Sequence, residues 1–215
     1  IGLAHALTLD VCVKSFTVED IFSPDQLTEV LLSGVAPPTQ GPSAAVAAVV
    51  RKGELGAEML FIERSTKEGD PWSGQMAFPG GRASTHDRDS LATAVRETSE
   101  ELGVDLVNAL LLGRLSDLEG GPRGTRQRLT VTPYVFWISG SRPMTDPNHE
   151  VAGVVWVPVS ELFEPSRHIE YFYPPLGPNS WPGITVEGNR VVWGLTLRML
   201  VDLFRRVGQP LAIRS

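Results

Sequence analysis

The chain has 215 residues, 42% hydrophobic and 20% charged, with a formal net charge of -6; this is enough apolar sequence for one sizeable core, and the acidic balance argues against a generic nucleic-acid binder, which needs clustered Lys and Arg. The single cysteine, Cys12, excludes an intramolecular disulfide, no Cys/His cluster has zinc-site spacing, and the longest apolar run, residues 44–50, is cut by Arg51 far short of a membrane span. With a first decade, "IGLAHALTLD", that lacks a signal-peptide pattern, these features point to a reducing, cytoplasmic setting and no membrane partner.

In chain order, residues 1 to about 36 read as an extension containing a short strand, "LDVCV", and a helix that starts near Ser23 with Pro24 in its first turn. "APPTQGPS", 36–43, is the clearest linker, which divides the chain into an extension and linker over 1–40 and a domain over 41–215. Residues 44–65 predict two strands around a Gly-containing turn, and "GQMAFPGG", 74–81, a third short strand closing in a tight bend. A helix follows from about Asp89 to Gly103. Further strands are "LLLGRLS", "VTPYVFWIS" and "EVAGVVWVPV", and "TLRMLVDLFRRV" is helical, with Gly208 and Pro210 just beyond it. A β-rich middle flanked by helices predicts an α/β/α layered domain with a mixed sheet. Residues 116–128 and the Pro- and aromatic-rich 164–190 carry no clear periodicity and read as long loops of the kind that often serve function.

The helix near the centre, "AVRETSEELGV" at 94–104, concentrates charge. At 100° per residue, Leu91, Ala94, Val95, Thr98 and Leu102 form the packing stripe, and Glu97, Glu100 and Glu101 are expected on the opposite side. Three neighbouring carboxylates cost roughly 0.2 to 0.5 kcal/mol per like-charged pair without a counter-ion. A hard divalent cation, which takes oxygen ligands, would remove that cost. Arg96 lies four residues before Glu100 and can brace it. A solvated helix face is the bland alternative for these residues taken alone.

The wider pattern runs Gly81, five residues, Asp87, eight residues, Arg96-Glu97, two residues, Glu100-Glu101, one residue, Gly103-Val104. It resembles the signature of the Nudix hydrolases, with three departures: Asp87 replaces a glutamate, one extra residue precedes Arg96, and Thr98 takes an apolar slot. The resemblance implies a Nudix-type α/β/α sandwich with a loop-helix-loop catalytic motif. It further implies that Glu97, Glu100, Glu101 and the carbonyl of Gly81 bind Mg²⁺ or Mn²⁺, with Arg96 orienting the carboxylates. The activity implied is hydrolysis of a nucleoside diphosphate derivative, in which metal ions activate water and a carboxylate accepts its proton. Glu97 and Glu150 are both candidates for that base.

"ERS", "GQMAFPGG", the Asp87 form of the box and "VVWGLTLRML" resemble the coenzyme A pyrophosphatase branch, which implies coenzyme A or an acyl-CoA as substrate. Asp70 and Trp72 stand where that branch carries Arg and His, so ADP-ribose, a nucleotide sugar or a dinucleotide stays open. Arg64, Arg82, Arg126, Arg128 and Trp72 are candidate substrate contacts; Arg114 and Arg123 extend the basic cluster. Tyr171, Phe172, Tyr173 and Trp181 are candidate stacking rings, whereas Trp193 is expected in the core. A homodimer, common in the family, would have the N-terminal extension at its disposal. The rival reading is a Nudix-like module that binds a nucleotide without turnover.

Overall fold

The structure, a computed structural model, describes residues 22–37, 41–68, 73–120 and 129–213. The predicted strand "LDVCV" and Trp72, Arg123, Arg126 and Arg128 lie outside them.

Strands β1 (Ser43–Gly53) and β2 (Gly56–Arg64) form an antiparallel hairpin that closes at the Gly53–Gly56 pair. Both are apolar almost throughout because the sheet is covered on both faces. Ala45, Ala47 and Val49 point into one core, and Ala44, Ala48 and Val50 into the other. β3 (Met76–Ala77) pairs with β2, and β4 (Gly80–Arg82) folds back onto the start of β1, with Gly81 opposite Ala45. β5 (Leu110–Arg114) and β6 (Leu118–Gly120) both pair with β7 (Leu129–Ile138), and β8 (Val151–Pro158) pairs with β2. β7 runs parallel to β1, Ala47 beside Tyr134, while the other pairings are antiparallel, so the eight-stranded sheet is mixed.

Helix α2 (Ser90–Leu102) covers one face through Ala94 and Leu102, against Leu60, Ile62, Tyr134 and Phe136. α4 (Gly194–Arg206) covers the other through Leu197, Leu200, Leu203 and Phe204. The α/β/α sandwich expected from the pattern of elements is the one observed.

Helix α1 (Pro24–Val30) begins as its sequence predicts, with Ser23 as N-cap and Pro24 in the first turn. It packs on the core of α4: Leu27 is buried, and Phe22 meets the Phe204 ring edge-on at 5.6 Å. Leu32 exchanges two backbone hydrogen bonds with Arg114, of 3.0 and 2.9 Å. Over residues 22–37 the stretch set apart by the sequence is therefore built into the domain's packing.

The segment 164–190, expected to be a loop, is mostly ordered. After the short helix α3 (Val159–Leu162), strands β9 (His168–Phe172), β10 (Ser180–Val186) and β11 (Arg190–Trp193) make a second, antiparallel sheet in the order β11-β10-β9. Its prolines obscure the pattern without breaking it. Pro174 and Pro175 sit in a 3-10 turn, and Pro182 lies beyond the end of β11, where a missing N–H removes no bond on that side. Ile184, Val186 and Val192 bury its inner face against the α4 core. Among the described residues no helix is long and apolar enough to cross a membrane.

Candidate active site

The site grows from α2. Asp89 caps its start by accepting the Ala92 N–H at 2.8 Å, and Gly103 ends it in the left-handed region at φ 66°. Thr98, the polar residue in an apolar slot, is fully buried and satisfied by donating to Ala94 O at 2.8 Å. The expectation for Glu101 is corrected. It is only 2% exposed, because seven residues beyond Ala94 is about 20° short of two full turns, which puts it within the packing stripe.

Burial of Glu101 is met by the bend before β4. The Gly80 N–H donates to Glu101 Oε2 at 2.8 Å. Burial is the main cause that pushes this carboxyl up to about 7; the Gly80 N–H and Arg64 pull it back, and Glu97 and Glu150 add repulsion. The two glycines of the bend are needed for different reasons. A Cβ on Gly80, at φ 149°, would fall 2.3 Å from Ala45 O, whereas one on Gly81 would fall 2.5 Å from the Glu97 carboxyl carbon.

Arg96 organises the rest. Its Nε and Nη2 grip Asp87 Oδ1 and Oδ2 at 2.8 and 2.9 Å, and Nη2 also donates to Arg82 O at 3.1 Å. Ser84 N–H and Thr93 Oγ1 donate to the same carboxylate, at 2.8 and 2.9 Å. The Arg96 fork, ahead of these, holds Asp87 well below the usual carboxylate range. The departure from glutamate thus preserves an anion for the arginine. Nη1 of Arg96 lies 3.0 Å from Glu97 Oε1 and 2.9 Å from Glu100 Oε2, as the i, i+4 spacing led one to expect for Glu100. Burial raises Glu97 above its ordinary value despite Arg96, and Glu100 and Glu150 reinforce the rise.

These groups face one cavity of about 990 Å³. Gly81, Glu97, Glu100, Glu101 and Glu150 line it, together with Arg64 and Arg82; Arg96 stands behind the carboxylates. Arg114 is elsewhere, 3.7 Å from Asp117. Trp181 reaches the cavity, and Trp193, expected only in the core, is buried and also contributes to its wall. Tyr171 and Tyr173 pack on Trp193 at 5.3 and 4.9 Å, and Phe172 is exposed.

Several wall residues carry no sequence signal of their own. Glu119, Leu129, Val131 and Leu176 come from segments whose approach depends on the sheet. Leu195, Thr196, Arg198 and Met199 belong to "VVWGLTLRML", which stood out only as a stretch. Thr196 Oγ1 donates to Met76 O at 3.1 Å and joins that stretch to β3.

A family profile described as the NUDIX domain matches residues 41–174. The chain is 30% identical over 148 residues to the uncharacterized Nudix hydrolase NudL of Yersinia pestis (strain Pestoides F), covering 69% of this chain and 72% of that protein. The same figures hold for NudL of Yersinia pseudotuberculosis (serotype O:1b). Among solved structures, the MutT/nudix family protein from Enterococcus faecalis shares the fold with a TM-score of 0.55 and 17% identity, over 82% of this chain and 65% of that one.

Proposed function

We propose, from the premise that this chain belongs to the NUDIX domain family, that it hydrolyses the pyrophosphate bond of a nucleoside diphosphate derivative, with coenzyme A or an acyl-CoA as substrate. The observation that carries the reading is the shared cavity: Glu97, Glu100, Glu101 and Glu150 face it beside Arg64, Arg82 and Arg198. Carboxylates without cations would repel a diphosphate, and cations without carboxylates would bind one without activating water.

The donor chemistry fits a hard divalent cation, Mg²⁺ or Mn²⁺, held by Glu97, Glu100, Glu101 and the Gly81 carbonyl. Among the described residues no three carboxylate, imidazole or thiol groups are already grouped at ion-binding spacing; Arg96 sits between Glu97 and Glu100. Burial is the main cause that raises Glu97 and Glu101, and the smaller mutual repulsion that adds to it is what a bound cation would relieve. When bound, such an ion polarises phosphoryl oxygens and lowers the pKa of its water. Arg96 orients Glu97 and Glu100. Arg64, Arg82 and Arg198 bind phosphate oxygens. Glu150 is the better-placed proton acceptor of the two candidates, since its side chain is half exposed and no Arg or Lys pairs with it among the described residues, whereas Glu97 is held by Arg96.

Two features favour the coenzyme A reading. The stretches that resemble that branch meet at the cavity, where Gln75 to Phe78 and residues from Trp193 to Met199 line it and the Thr196 hydroxyl donates to Met76 O. In the same cavity as the carboxylates, Val131, Trp181, Leu195 and Met199 offer an apolar surface for an uncharged organic arm. Trp72, Arg126 and Arg128, outside the described residues, are retained as proposed substrate contacts. ADP-ribose, a nucleotide sugar or a dinucleotide is the second reading, supported by the departures at Asp70 and Trp72.

The test is a substrate panel with Mg²⁺ or Mn²⁺ comparing coenzyme A, ADP-ribose, nucleotide sugars and diadenosine polyphosphates. Coenzyme A should yield phosphopantetheine and adenosine 3',5'-bisphosphate, and Glu100→Gln should lower turnover by about 100-fold or more. Faster turnover of ADP-ribose would transfer the assignment to the second reading. Binding without turnover of any compound would favour the non-catalytic module.

A further inference from the structure

Four carbonyls end every α-helix without partners inside it, and where their partners come from decides what the helix end is tied to. In α2 the Ser99 carbonyl accepts the Gly103 N–H at 2.8 Å. The other three are satisfied by one segment, distant in sequence, that leads into β8. Asp146 N–H donates to Leu102 O at 2.8 Å, Asn148 N–H to Glu101 O at 2.9 Å, and Asn148 Nδ2 to Glu100 O at 2.9 Å. The Asn148 side chain is used at both ends, for its Oδ1 accepts the Glu150 N–H at 2.8 Å. The Glu150 carbonyl in turn accepts the Ser65 N–H at 2.8 Å, next to Arg64 on the cavity wall.

We propose that Asn148 is a positioning residue: one amide group, bonded to the helix that carries Glu97, Glu100 and Glu101 and to the backbone of Glu150, sets the distance between the two acidic parts of the site. The inference rests on the reading of Glu150 as proton acceptor. Its physical basis is that Glu150 lies in the turn just before β8, which meets α2 through the Asp146 and Asn148 N–H groups, while the Asn148 side chain carries that tie on to the Glu150 N–H. A loop carboxylate misplaced by about 1 Å can lose about 100-fold in rate with little change in binding. Only a side chain with a donor and an acceptor on one planar group makes both bonds, which suits asparagine here. Gly103 assists through its left-handed φ of 66°, which turns the chain out of α2 beside Asp146.

The test is a double-mutant cycle of Asn148→Ala and Glu150→Gln on the full chain, with kcat and KM measured on the best panel substrate, alongside Tm and hydrogen exchange at the Glu150 amide without metal. Asn148→Ala should lower kcat by about 10- to 100-fold, keep KM within about twofold, lower Tm by about 2–4 °C and speed exchange at Glu150. In the Glu150→Gln background the Asn148→Ala loss should largely vanish, because both changes act through one group. Losses that multiply independently would overturn the proposal and leave Asn148 as a helix cap alone. Full activity of Glu150→Gln would also overturn it while the pyrophosphatase reading stands. If the wild type turns over no compound of the panel, that reading fails, and unchanged exchange at Glu150 in Asn148→Ala would still sink the positional tie. Should the alanine variant not fold, Asn148→Ser keeps a hydroxyl acceptor for the Glu150 N–H and should give the same cycle with a smaller loss.

Discussion

The two walls of the cavity are built differently. The acidic wall comes from one stretch, Gly80 to Glu101, plus Glu150, and is held by directed bonds: the Arg96 fork on Asp87, the Gly80 N–H on Glu101, the amide of Asn148. The apolar wall takes Val131 from β7, Trp181 from β10, Trp193 from β11 and Leu195 and Met199 from α4, and is held by burial and ring contacts. Groups that perform chemistry need fixed angles and, Glu150 and Asn148 apart, travel together in sequence with their partners. Groups that shape a binding surface need only volume, which distant segments supply when the sheets pack.

The contrast breaks most readily at the paired glycines. Gly80→Ala should destabilise the protein by roughly 3 kcal/mol or more, measured by denaturant unfolding, since its Cβ would drive into Ala45 O of the sheet's own backbone and its φ is left-handed. Gly81→Ala should fold with a smaller loss, about 1–3 kcal/mol, yet lose about 100-fold or more in kcat, since its Cβ displaces the Glu97 carboxylate. Equal effects of the two substitutions on stability would refute the division of labour drawn for them.

On the apolar wall the effect should be smaller and of another kind. Trp181→Ala should raise KM by about tenfold and change kcat by less than about threefold, as expected for a surface that binds an organic arm and takes no part in bond cleavage. Steady-state kinetics on coenzyme A decides it. A fall in kcat with KM unchanged would place Trp181 with the acidic wall.

The smallest effect serves as a control remote from both walls. Glu58 is nearly buried on β2 and held by Arg142, at 2.9 and 2.6 Å, and by Arg51. The Arg142 hydrogen bonds are the largest cause of a carboxyl pKa below its ordinary 4.5, acting against burial. A depressed folded-state value means that this stabilisation is fully present above the unfolded value, about 4.5, and disappears as pH falls through the lower folded value. Glu58→Gln should therefore lower Tm at pH 7 and flatten its decline on acidification below about pH 4.5. A Tm that falls with acid as steeply in the variant as in the wild type would assign acid sensitivity to other carboxylates, with Asp87 the first to examine.

Much of the site can be read along the chain because its signals are local. Asp89 and Gly103 bound α2 where capping chemistry says they should, and Arg96 reaches Glu100 as the i, i+4 rule requires. Periodicity worked out residue by residue puts Glu101 in the packing stripe, against its grouping with Glu97 and Glu100 on the opposite side, and the Gly80 N–H supplies the buried carboxyl with a donor. Asn148 looks like an ordinary loop residue until the last carbonyls of α2 are brought to it. The second sheet is hidden for a related reason: β9, β10 and β11 are short, rich in Pro and Gly at their margins, and depend on one another for their edges.

Residue order alone settled the main helices and the longer strands of the central sheet, the spacing of the acidic motif and the chemistry its carboxylates suit, since turn, cap and periodicity energies act within a few positions. Tertiary structure decided which glutamate is buried, where Glu150 stands relative to α2 and which apolar side chains share the cavity with the acidic wall. Those outcomes depend on desolvation and on hydrogen bonds between segments that meet only after the sheets have packed, and neither quantity is defined for an isolated stretch of chain.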